Sequence, residues 1–159
     1  VFDISVDSEN RDFVSMAGIV HNCGDFIDYK VAESTDTPIP QVIRKKERNL
    51  NFDSIDEDDD VVFALDVFYT NMLEFVFNKF SAQFAKIKSD FEYPIDVVVA
   101  GGSTMPRGFG SKVKSVIDGL DLPFTVKEVR PAKDRRNTVA KGLLTQALLM
   151  KKRLAKAKE

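Results

Sequence analysis

Two groups of residues in this chain carry side chains suited to chemistry. The first is His21-Asn22-Cys23, which joins the only histidine to the only cysteine of the 159 residues. An asparagine can turn its carboxamide nitrogen on its own carbonyl carbon, closing a succinimide and releasing the chain that follows. His21 is placed to protonate or polarise that carbonyl. Cys23 supplies a thiolate that can accept an acyl group before the asparagine cyclises. The order of the residues follows the order of the chemistry. The second group is the run Gly101-Gly102-Ser103-Thr104. Two residues without Cβ permit unusual backbone angles and close approach to a flat base or a phosphate, and two hydroxyls follow at the start of a helix.

Elements must deliver both groups. VFDISV alternates like a strand, DSENR reads as a polar turn, and DFVSMAGIV leads to the tripeptide, so two short strands are expected to present the junction. Beyond it, CGDFIDYKVAE reads as a helix start with Phe26, Ile27 and Val31 on its buried side, and Asp25 and Asp28, three apart, read as helix-capping carboxylates rather than metal ligands. STDTPIP is turn-rich, and the stretch from Ser34 to Asp60 reads as loop. SIDEDDD can cap the long apolar helix that follows, whose Phe68, Phe75, Phe77, Phe80 and Phe84 read as core. PIDVVVA is a strand running into the glycine turn and an amphipathic helix. PFTVKEVRPA and the segment from Lys133 repeat the strand-then-helix order, ending in a basic tail.

Two resemblances follow from these motifs. VFDISVDSENRDFVSMAGIVHNC resembles the C-terminal end of an intein, a self-splicing insert of the Hint fold, with Asn22 as its last residue and Cys23 as the first host residue. That resemblance implies catalytic roles for His21, Asn22 and Cys23. The family often carries a further histidine where this chain has Arg11. An intact intein also needs an N-terminal half, so splicing by this chain alone is not expected, and slow cleavage after Asn22 is the most it should do.

Nearly all of residues 23–150, within a domain expected over 23–159, resembles the C-terminal half of nucleotide-binding domains in the actin, sugar kinase and heat-shock chaperone superfamily, closest to the bacterial actin-like branch. The resemblance rests on VVVAGGSTMPRGF, VRPAKDRRNTVAKGLLTQAL and CGDFIDYKVA. It implies an α/β fold, the C-terminal subdomain of an actin-like, ribonuclease H-like ATPase in helix–sheet–helix layers, preceded by a short β intein remnant over residues 1–22. It also implies that Gly101, Gly102, Ser103 and Thr104 lie against adenosine, with Lys46 and Glu47 lining the same pocket. Met105 stands where the chaperones carry an arginine, so no cation stacks on adenine from there. ATP with magnesium is the cofactor implied for the full-length host. The family's metal and catalytic carboxylates lie in its first half, so this segment itself should hold no metal.

The partners expected are the missing halves of intein and host, with a homo-polymer allowed by the actin-like resemblance. The competing reading is a filament or scaffold module that binds no nucleotide and carries an inactive intein remnant. The net charge of −2 demands no nucleic acid, and the macrodipole explains the basic tail. No apolar run reaches membrane-spanning length, no targeting signal is readable, and a lone cysteine fits a reducing compartment, so a cytoplasmic protein is expected.

Overall fold

The computed structural model describes residues 12–15, 18–21, 23–84 and 93–156, with side chains described over 24–82 and 93–155. A hairpin comes first, β1 (Asp12–Ser15) and β2 (Gly18–His21), paired antiparallel from Asp12↔His21 to Ser15↔Gly18. The stretch expected to be one strand is therefore two. Pairing its halves satisfies backbone groups that a lone strand would leave open. The strand expected at residues 1–6 lies outside the described residues.

Three helices follow: α1 (Cys23–Thr35), α2 (Ile39–Arg48) and α3 (Asp60–Phe84). On α3, Val62, Leu65, Tyr69, Leu73 and Phe77 recur at helical spacing and are buried against α1, α2 and α4. Asp59 caps the helix as SIDEDDD implied, its Oδ1 accepting from the backbone N–H of Val61 at 3.0 Å and Val62 at 3.2 Å. The five phenylalanines expected in the core divide. Phe77 is buried and Phe68 is packed against the core, whereas Phe75 and Phe80 are 45% and 46% exposed and the Phe84 side chain lies outside the described residues. A helix this apolar has more hydrophobic surface than its neighbours cover. Phe26 likewise turns outward at 38% exposure while Ile27 and Val31 are fully buried.

Within the stretch read as loop, α2 is a correction. Pro40 opens its first turn, where a missing N–H costs nothing, and fully buried Val42 anchors it. Phe52, just beyond, joins the core by an edge-on contact with Tyr69 at 5.1 Å between ring centroids.

The second half pairs β3 (Ile95–Val99) in parallel with β4 (Val126–Pro131), the crossover running through α4 (Phe109–Asp118). Phe109, Val113, Val116 and Ile117 bury one face of α4 on β4 and α3. The closing helix, α5 (Thr138–Lys156), is exposed at every residue from 139 to 155, so the described sheet has α4 packed against it but is not covered by α5 as the layered expectation had it. Among the described residues, no helix is long and apolar enough to cross a membrane.

Candidate functional site

The site is assembled where α1, α2 and the turn after β3 meet. On α1, Gly24 and Asp28 are four apart and share a face. The next helix brings Lys46 to that face. Its Nζ lies 2.5 Å from Asp28 Oδ2 and donates to the Gly24 carbonyl at 3.4 Å. The third segment is the 3-10 turn Gly102–Thr104. A Cβ added at Gly24 would stand 3.2 Å from Ser103 Oγ, so glycine is what lets the turn approach the first turn of α1 this closely.

The pair is nearly withdrawn from water, with the side chains of Lys46 and Asp28 14% and 4% exposed. Asp28 Oδ1 is buried and has no hydrogen-bond partner among the described residues. Burial raises the pKa of Asp28 above the usual carboxylate value. The hydrogen bond and charge of Lys46 oppose that rise, and the negative charges of Asp25 and Glu47 add to it. The cluster therefore combines a cation, a buried carboxylate oxygen without a partner among the described residues and, beside Gly24, the hydroxyl of Ser103. No group of three or more His, Cys, Asp or Glu able to hold a metal occurs among the described residues.

The turn itself is held rigidly. Gly101 has φ 104°, a conformation that disfavours any residue with a Cβ. Thr104 is buried and its Oγ1 donates to the Gly101 carbonyl at 2.8 Å, which closes the turn. Arg135 straps it from outside: the Gly101 N–H donates to the Arg135 carbonyl at 2.8 Å, and Arg135 Nη1 donates to the Thr104 carbonyl, also at 2.8 Å. An open groove of about 560 Å³ lies beside the turn, between Met105 and residues 131–137.

Of the residues expected at the site, Lys46 and Ser103 converge through Gly24. Gly101 and Gly102 form the turn, Thr104 faces inward, and Glu47 is exposed with its charge felt at Asp28. Asp28 is not a cap, as the spacing suggested. It sits in the second turn of α1 as the partner of Lys46, while Asp25 is in the first turn. Sequence reasoning missed Gly24, the pairing role of Asp28 and the Arg135 strap. A glycine and an aspartate four apart were the legible signal for the first two.

At the other reactive group, β2 ends on His21 and α1 begins on Cys23. The hairpin and the helix therefore flank Asn22, which lies outside the described residues, as do the side chains of His21 and Cys23.

No curated protein and no solved structure matches the chain. The model of one family, Volactin, matches residues 15–147, from the end of β1 into α5. Matching over most of its length, the chain belongs to the Volactin family.

Proposed function

We propose that residues 23–159 contribute the adenosine side of an ATP site in an actin-like ATPase, and that residues 1–22 are the C-terminal end of an intein whose Asn22 cyclises to cut the chain before Cys23. The observation that carries the first half is that Gly24, Asp28, Lys46 and Ser103 come together from three separate segments, and that one buried oxygen of Asp28 has no partner among the described residues. Buried polar groups are ordinarily satisfied. A ribose or base donor, directly or through one water, would satisfy this one. In the full-length host the bound group is ATP with magnesium, and the metal and phosphate contacts come from parts of the protein other than these residues. The protein works in the cytoplasm, where a thiol at position 23 stays reduced.

The second half rests on the tripeptide His21-Asn22-Cys23 at the end of a paired hairpin. The carboxamide nitrogen of Asn22 bonds to its own carbonyl carbon and the bond to the Cys23 nitrogen breaks. One proton leaves the carboxamide and one reaches the departing amine, with His21 as the carrier.

A filament or scaffold module that binds no nucleotide is the second reading. Its support is α5, where Leu143, Leu144, Leu148 and Leu154 are 60%, 61%, 53% and 64% exposed.

Two measurements test the proposal. Titration of a fluorescent adenine nucleotide into the full chain should give saturable binding that Gly101→Val abolishes, whereas no binding would leave the scaffold reading. Intact mass after incubation with and without a thiol should show a species beginning at Cys23. An unchanged mass, equal to that of an Asn22→Ala control, would remove the cleavage half.

A further inference from the structure

Helix α5 is held at one end and bare along its length. Thr138 Oγ1 donates to the Asp134 carbonyl at 2.6 Å, Lys141 Nζ lies 2.6 Å from Asp134 Oδ2, and every residue from 139 to 155 is exposed. At about 100° per residue, Val139, Leu143, Leu144, Leu148, Met150 and Leu154 fall within roughly half the helix circumference. Each is more than half exposed, and of the large apolar residues of α5 only Leu149 lies off the arc. The charge is as one-sided as the apolar surface. Thr138–Lys156 contains five Lys and Arg and no Asp or Glu, although the whole chain carries −2. Lys141 is held by Asp134, whereas the exposed Lys151, Lys152 and Arg153 pair with no acidic group among the described residues.

We propose that α5 lies on an anionic lipid surface, with its apolar arc at the acyl boundary and its cations among the phosphates. Helices that lie in a bilayer interface combine a broad apolar face, low overall hydrophobicity and a polar side rich in Lys and Arg. Among the described residues no helix is long and apolar enough to cross a membrane, so α5 lies on the surface rather than spanning it. Charge complementarity selects the occupant: five cations without an anion are attracted to a negative surface. Lys151 selects lipid over a protein groove. On the wheel it stands inside the apolar arc, between Ala140 and Leu144. A dry groove would have to desolvate that charge, whereas at a bilayer the side-chain stem stays with the acyl chains while the ammonium reaches the phosphates. The inference stands apart from the nucleotide and splice readings, since neither places a residue of α5 in its site.

The test is flotation of the full chain with vesicles of phosphatidylcholine alone and of phosphatidylcholine mixed with phosphatidylglycerol, for the parent and two double variants. Leu143→Gln with Leu154→Gln interrupts the apolar arc, and Lys152→Gln with Arg153→Gln removes charge. Glutamine is a good helix former and all four side chains are exposed, so both variants should keep the parent's urea midpoint. The parent should float with the anionic vesicles and bind the neutral ones at least about ten-fold more weakly. On anionic vesicles the charge variant should lose at least about ten-fold, and added salt should weaken the parent in the same direction. The apolar variant should stay unbound. No flotation of the parent, equal flotation with both vesicle types, or parent-like flotation of the apolar variant would overturn the proposal. Sedimentation of the parent as a dimer that the apolar variant turns into a monomer would also overturn it, and would give the arc to a second copy of the chain.

Discussion

Two neighbouring lysines on α2 meet opposite fates. Lys45 reaches Asp59, the cap of α3, with the side chains 37% and 23% exposed, and Lys46 reaches Asp28 with 14% and 4% exposed. One residue along a helix is a turn of about 100°, enough to send adjacent side chains to different neighbours. The aspartates respond in opposite directions. The hydrogen bond from Lys45, aided by the N–H groups of Val62 and Val61, holds Asp59 below the usual carboxylate value, whereas burial lifts Asp28 above it. Asp59 has its acceptors occupied, and Asp28 keeps one buried oxygen without a partner among the described residues. The first pair finishes a helix end. The second leaves an acceptor unsatisfied, which is the physical reason for proposing that it binds.

Breaking each pair should separate them most. Lys46→Ala leaves Asp28 buried without its cation and should lower unfolding stability by about 3 kcal/mol, since removing one partner of a buried pair is strongly destabilising. Lys45→Ala should cost less than about 1 kcal/mol, because that pair is screened by water. Urea unfolding of the two variants checks the contrast, and equal losses would erase it.

Acidity gives the next contrast. Asp28 holds its proton to higher pH when folded than when unfolded, so its contribution to stability falls as pH rises from 3.8 through its raised value. Asp59 is the reverse: its contribution is present above 3.8 and is lost as pH falls through its lowered value. Urea midpoints across pH for Asp28→Asn and Asp59→Asn should therefore diverge from the parent with opposite slopes. Parallel slopes would mean that the two carboxylates share one environment.

Gly24→Ala sharpens the comparison with the smallest effect. The added methyl lies 3.2 Å from Ser103 Oγ and 3.8 Å from Lys46 Nζ, so a hydroxyl must give by a few tenths of an ångström. The helix gains from alanine what the contact loses, and the net change should stay within about 0.5 kcal/mol. Nucleotide binding should weaken nonetheless, as a titration of the variant would read.

Much of this arrangement was legible in the residues. The spacing of Leu65, Tyr69, Leu73 and Phe77 announces α3, the glycine run announces the turn, and the acidic run announces the cap. What periodicity cannot supply is the partner. An apolar arc on α5 and one on α3 look alike in sequence, yet one is bare and the other buried, because burial depends on neighbours distant along the chain. Basic composition hid α2, since its single anchor at Val42 is too little to mark a period. Lys46 was singled out through resemblance. That Asp28 would be its partner required α1 and α2 to be packed together.

The measurement that bears most directly on the site is calorimetric titration of ATP into the parent chain, Lys45→Met, and the double variant Asp28→Leu with Lys46→Met. Replacing a buried ion pair by apolar side chains of similar volume is often neutral for folding, so the double variant should keep the parent's urea midpoint. The account predicts that Lys45→Met binds like the parent and that the double variant binds at least about ten-fold more weakly, a loss of about 1.4 kcal/mol. Parent-like binding by the double variant, or no binding by the parent, would contradict it.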